Sequence, residues 1–260
     1  MYLAELRFRI VADTSYPDAE KAIRQYIEAL IFNGQILGRE FPTALSADTF
    51  CSRVVIPEEN ALHPSLHNAR ALQAQQELIA AGLAYPSLEV LGMDLMSQHT
   101  SPSQVSEYYI LFTTFADTCS PVRCSEYLSP VPLYRLNTGS HQDHEALIRW
   151  QLQYQALDEI QMQQQRVLHK TAENSLQQLH STLNRQGRKL ARQLEQRTGK
   201  PFFYALYSGS SPDCAAEPHK SCPGCGNNWR LTTPLHQLFD FKCDHCRLLS
   251  NIAWDCQNPS

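Results

Sequence analysis

Two short cysteine knuckles near the end of the chain constrain its fold more than any other feature. They are Cys222-Pro-Gly-Cys225-Gly226 and Cys243-Asp-His-Cys246. A Cys-x-x-Cys turn brings two thiolates within reach of one tetrahedral ion, and two such turns joined by a hairpin close a shell of four sulfurs. Gly226, just after a thiolate, can take the positive φ that tightens its turn. Residues 229–231 and 238–242 read as strands flanking a turn at Pro234, and 248–254 as a third strand. This is the pattern of a zinc ribbon, with one Zn²⁺ held by Cys222, Cys225, Cys243 and Cys246. Four thiolates leave no open coordination position, so the ion is expected to be structural. Redox chemistry of the thioredoxin kind expects a single such pair opening a helix after a strand. Rubredoxin-type iron also takes four thiolates, but the second knuckle lacks the Pro and Gly of the first, which favours zinc. Lys242, His245 and Arg247 are placed to offset the negative charge of the site. Cys214, His219 and Cys256 lie near enough in sequence to compete as ligands.

Nine cysteines in 260 residues then ask which compartment the chain occupies. Its opening, MYLAELRFRI, is interrupted by Glu5, Arg7 and Arg9, unlike a signal peptide. The most apolar window, residues 108–115, is too short to span a bilayer. A soluble, cytoplasmic protein without membrane contact is expected, where clustered cysteines are metal ligands rather than disulfides.

The body ahead of the knuckles reads as α+β in three segments: an α+β domain over 1–140, a helical segment over 141–200 and the ribbon over 201–260. In the first, residues 2–11 alternate as a strand, and Pro17 opens a helix that ends near Gly34. Residues 50–56 and 88–91 are short strands, 64–83 is helical, and 108–115 is a buried strand. The order is compatible with an α/β sandwich of the ferredoxin-like kind. From His141 the chain is rich in glutamine, with apolar residues at steps of three and four: Leu147, Trp150, Tyr154, Leu157 and Ile160, then Leu168, Ala172, Leu176, Leu179 and Leu183. Either one helix of about 80 Å or a hairpin broken near 171–175 satisfies this pattern. Residues 202–207 then form a strand.

Charge is unevenly distributed. The net charge is −4, yet Arg185, Arg188, Lys189, Arg192, Arg197 and Lys200 stand against Glu195 alone. Such a cluster can contact phosphate, or it can be a solvated face that favours a helix C-terminus. The ribbon itself is not basic. Its aromatic residues Trp229, Phe239, Phe241 and Trp254 are candidates to stack bases.

The run CPGCGNNWRL…HQLFDFKCDHCRLLSNIAWDC resembles the DUF2310 family, uncharacterised bacterial proteins described as zinc-ribbon-containing with nucleic acid as the suggested partner. The stretch SPVRCSEYLSPVPLYRL (residues 120–136) is similar to that family too. Its members carry a Cys-x-x-Cys there, whereas this chain has Cys124 and then Tyr127. The resemblance therefore implies a second knuckle that has been lost, with Cys119 at the wrong spacing to replace it. It implies a fold and a metal rather than an activity.

Other candidates are weaker. His63 and His67 stand four apart, but Pro64 opens the helix between them. His141, Asp143 and His144 resemble a metal cluster at a helix start, where acid is favoured anyway. Cys51 reads as a small buried strand residue. With no phosphate loop, nucleophile elbow or zinc-protease motif, an enzyme is not expected. Two functions remain: a zinc-ribbon binding protein that contacts DNA or RNA, and a protein–protein adaptor whose ribbon and glutamine-rich helices form the contact surface.

Overall fold

In β1 (Tyr2–Arg9), Ala4, Leu6 and Phe8 are buried while Arg7 and Arg9 face solvent. This alternation builds one covered and one wet face. A computed structural model describes residues 1–102, 106–136, 143–163 and 167–257. After β1 come α1 (Tyr16–Asn33), β2 (Thr43–Ser46), β3 (Thr49–Ile56), α2 (Ala69–Ala80) and β4 (Ser87–Met93). Ser15 caps α1 by accepting the Asp18 N–H, Pro17 lies in its first turn, and Gly34 ends it in the left-handed region. The four strands form an antiparallel sheet in the order β2-β3-β1-β4. A strand–helix–strand–strand–helix–strand chain with this order has the ferredoxin-like arrangement. The expected sandwich is present, with one difference. Its missing strand is β2, exposed throughout and without alternation, rather than residues 108–115. Ile23, Tyr26, Ile27, Leu30 and Leu78 are buried with the sheet's inner face.

The chain divides into two compact units that interleave in sequence. One comprises 1–102, 118–120 and 129–145; the other comprises 103–117, 121–128 and 146–260. The second unit holds β5 (Tyr109–Leu111), β6 (Val122–Cys124), β7 (Phe202–Leu206), β8 (Arg230–Leu235), β9 (Phe239–Cys243) and β10 (Leu248–Ser250) in one sheet, ordered β6-β5-β7-β10-β9-β8. The central strand β7 has parallel neighbours on both sides and all five residues buried, hence its unbroken apolar sequence FFYAL. The expected hairpin is thus the edge of a larger sheet and not a separate appendage. Its turn lies at His236 and Gln237, with φ of 54° and 57°, while Pro234 sits inside β8. Trp254 opens a short helix, α6 (Trp254–Gln257), instead of ending a strand.

The helical segment gives α3 (Glu145–Met162), α4 (His169–Gln177) and α5 (Thr182–Thr198). The break expected at 171–175 falls inside α4; the helices instead separate between Met162 and His169 and again at 178–181, and the second break is the one the described side chains account for. Two polar side chains explain it. The Ser181 hydroxyl accepts the Asn184 N–H at 3.1 Å, and buried Asn184 donates to the carbonyls of Leu176 (2.7 Å) and Gln178 (2.8 Å). These bonds satisfy backbone groups that a continuous helix would have paired internally. Asn184 also accepts the Tyr204 hydroxyl at 2.6 Å, tying α5 to β7. Gly187 lets α5 approach closely, since a Cβ there would lie 2.4 Å from Tyr204 and 2.8 Å from Trp150.

Candidate metal centre

The sulfurs of Cys222, Cys225, Cys243 and Cys246 all lie within 4.8 Å of one another. Cys225 and Cys243 sulfurs are 3.7 Å apart. Metal–sulfur bonds of about 2.3 Å in a tetrahedron place sulfurs about 3.8 Å apart, so the set has the spacing a tetrahedral ion requires. Each knuckle is shaped for this. In the first, the Gly226 N–H donates to the Cys222 carbonyl at 2.8 Å, and Gly226 has a φ of 75°. In the second, the Cys246 N–H points at the Cys243 sulfur at 3.4 Å, and Arg247, at the position equivalent to Gly226, takes a φ of 54°. The glycine asymmetry between the knuckles reflects packing. A Cβ on Gly224 would sit 2.7 Å from the Cys246 sulfur, so the first knuckle needs glycine where the second carries His245.

The electrostatics favour a cation between the sulfurs. Burial, with the neighbouring cysteines, pushes the Cys246 thiol up to about 12 and raises Cys243, while the Asn227 N–H lowers Cys225. Four sulfurs in this arrangement resist ionising together unless a cation supplies the counter-charge. The soft donor set and closed geometry fit a metal ion and leave no position for a substrate.

The side chains expected to balance the site point elsewhere. Lys242 pairs with Asp244 at 3.1 Å and lies 4.9 Å over the rings of Tyr108 and Phe203. Arg247 reaches Glu195 at 3.5 Å and the Asp244 carbonyl at 3.0 Å, and His245 is exposed. Arg188 of α5, half-buried, is the basic group whose charge couples to Cys246 and Cys222; burial and then Arg192 lower its own pKa. Sequence reasoning placed Arg188 with the phosphate-binding candidates, because spacing cannot show which way one arginine in a cluster turns. Of the others, Arg185, Lys189, Arg192 and Arg197 are exposed and Lys200 is half-buried. Arg185, Lys189 and Arg192 share one face of α5 by their four- and three-residue steps.

The aromatic candidates for base stacking are mostly the hairpin's own core. Trp229, Phe239 and Phe241 are buried, Trp229 stacks on Phe241 at 5.1 Å, and Lys220 and Arg230 cover Phe241. Trp254 alone of the four is substantially exposed.

Cys214 and Cys256 are not competing ligands. They form a disulfide across 42 residues, with the Asp255 carboxylate beside it held by the Ser211 N–H. Neither Cys119 nor Cys124, both buried, joins a metal cluster among the described residues, and Tyr127 is exposed. Cys51 is half-buried rather than buried. His63 caps a single 3-10 turn (Pro64–Leu66). Buried His67 uses both ring nitrogens, with the Tyr26 hydroxyl and the Gln35 amide each at 3.1 Å, and burial lowers its pKa to about 4. It is a neutral core histidine. Asp143 pairs with Arg70 at 3.3 Å and His144 is buried, while His141 lies outside the described residues.

Comparison with known proteins tiles the chain with three families, each described as a domain of unknown function: DUF8589 over residues 1–92, DUF2310 over 103–207 and DUF8594 over 212–256. The stretch 120–136 falls within the DUF2310 match, whereas the cysteine-rich run falls within the DUF8594 match. An uncharacterized protein of Haemophilus influenzae strain Rd is 35% identical over 98% of this chain and 99% of its own length. A second uncharacterized protein of that strain is 32% identical over 77% of this chain and 94% of its own. Among solved structures, a putative antibiotic biosynthesis monooxygenase from Deinococcus radiodurans covers 36% of this chain and 93% of its own, at 12% identity and a TM-score of 0.27. At that score the likeness says nothing of fold or activity. Among the described residues no helix is long and apolar enough to cross a membrane.

Proposed function

The chain belongs to the DUF2310 family, and from that premise we propose that it is a zinc-ribbon binding protein whose α5 surface contacts the phosphate backbone of DNA or RNA. The ion is one structural Zn²⁺, supported by the four-sulfur shell and the 3.7 Å sulfur spacing. The observation that carries the nucleic-acid reading is on α5. Arg185, Lys189, Arg192 and Arg197 are exposed, and among the described residues none of them is in an ion pair. Unpaired guanidinium and ammonium groups on one helix release counterions when phosphate approaches. The metal centre supports that surface. Glu195, the one acid of the segment, is turned to Arg247 of the second knuckle and accepts the Phe202 N–H at 3.0 Å. A shallow depression of about 500 Å³ joins Arg192, Glu195 and Gln196 to Asp244, His245 and Arg247. The protein acts by binding and not by catalysis, and we place it in the cytoplasm, where nucleic acid is at hand, although the Cys214–Cys256 disulfide departs from the expectation that its cysteines there are all reduced.

The test is fluorescence anisotropy with labelled duplex DNA, single-stranded DNA and RNA at graded salt. Three to four phosphate contacts predict an affinity loss of roughly a hundredfold between 50 and 200 mM salt. Arg185→Glu with Arg192→Glu should abolish binding while leaving the metal in place, because neither side chain faces the sulfurs. Absence of a shift with every nucleic acid would overturn the proposal. A nuclease-resistant, stoichiometric protein partner in its place would favour the adaptor.

A further inference from the structure

A cavity of about 530 Å³ opens in the second unit, lined by α3, the chain after β5, β7 and α6. We propose that it binds a small organic cation, an ammonium carried on an aromatic or alkyl body. The site is separate from the metal centre and from the basic face of α5, and the proposal does not rest on nucleic-acid binding. Its volume lies in the range of small-molecule sites. Rings form much of the wall, with Phe112, Tyr154, Tyr207, Phe239 and Trp254 around it. Aromatic faces are electron-rich and attract cations.

Two groups on one face of α3 set the ligand's charge and polarity. Asp158 is 6% exposed and accepts the Phe115 N–H at 2.8 Å through one oxygen. Among the described residues no basic side chain pairs with it. Asp117, the acid that acts on it, is itself paired with Arg123 at 2.8 Å, leaving the Asp158 charge uncompensated. One turn further along, the side-chain oxygen of Gln161 is buried and has no hydrogen-bond partner. A buried carboxylate without a cation and a buried acceptor without a donor are each costly. An ammonium ligand relieves both, donating one N–H to Asp158 and another to Gln161. Burial raises Asp158 above the usual carboxylate range, and an adjacent cation acts in the opposite direction. An anion would be repelled by Asp158 and would leave the Gln161 oxygen without a donor, and a neutral ligand would leave the carboxylate unbalanced.

Calorimetry on the full-length, metal-loaded protein tests this with four probes: tryptamine, benzyltrimethylammonium, the neutral alcohol tryptophol and the anion indole-3-propionate. Tryptamine should bind at least about tenfold more tightly than tryptophol, and indole-3-propionate should not bind. Asp158→Asn, which keeps an acceptor for the Phe115 N–H, should erase the preference for tryptamine over tryptophol. Gln161→Leu should weaken tryptamine but not benzyltrimethylammonium, which has no N–H to donate. Equal affinity for the amine and the alcohol, a preference that survives Asp158→Asn, or no binding of either cation overturns the proposal. Should Asp158→Asn fail to fold, the wild-type preference and the Gln161→Leu contrast decide it.

Discussion

The two compact units are held together by different chemistry. The first is a four-stranded sheet covered by two helices, with an apolar core of Phe8, Ile23, Tyr26, Ile27, Leu30 and Leu78. It contains only Cys51 and Cys119. The second contains the remaining seven of the nine cysteines, and six of these seven lie in the cluster and the disulfide. The contrast has a physical basis. A two-stranded edge has a small core, here Trp229, Phe239 and Phe241, and the four-sulfur cluster is placed to reinforce it. Because that edge is continuous with β10, β7 and β5, a metal held there would anchor a whole sheet.

Metal removal probes this contrast most severely. Structural zinc contributes roughly 10 kcal/mol or more in small domains. Chelation, or Cys243→Ser, should therefore remove hydrogen-exchange protection from β7 to β10 while β1 and β3 keep theirs. Joint loss of protection in both sheets would erase the distinction. Second, reducing or replacing Cys214–Cys256 reopens a 42-residue separation and should cost about 2–4 kcal/mol, read as a lower urea midpoint for the second unit alone.

Third, His67 makes the first unit sensitive to acid. Burial lowers its pKa to about 4, below the ordinary value near 6.5. The unfolded chain therefore takes up the proton first, and stability present above pH 6.5 is lost as pH falls toward 4, by up to about 3 kcal/mol. His67→Gln should flatten that dependence, and an equal acid response in both units would break the contrast. Smallest is Gly187→Ala. In an open helix the change gains about 1 kcal/mol, but the contacts with Tyr204 and Trp150 should turn it into a net loss of about 1–2 kcal/mol, confined to the second unit.

What the chain discloses in sequence follows from the range over which each feature acts. The clustering of Cys222, Cys225, Cys243 and Cys246, the Gly226 turn, β1 and α1 follow from local patterns, and all were legible. So was the sandwich, apart from β2, whose TALS carries no alternation. The continuity of the cysteine hairpin with β7 was hidden, because parallel pairs such as Leu248 with Tyr204 join residues far apart in the chain. Cys214 and Cys256 carry no spacing signature. The helix break at 178–181 was available in principle, since Ser181 followed by Asn184 is a cap, but glutamine-rich periodicity ran through it. Asp158 carries no sequence signature, because its burial against the 112–115 segment arises only in the fold.

Elemental analysis of the purified full-length protein tests the central claim most directly. One zinc per chain is predicted, lost in Cys243→Ser and retained in Cys214→Ser. A protein that carries no zinc when prepared under reducing conditions, or one that carries two and keeps one in Cys243→Ser, would contradict a single structural ion held by Cys222, Cys225, Cys243 and Cys246.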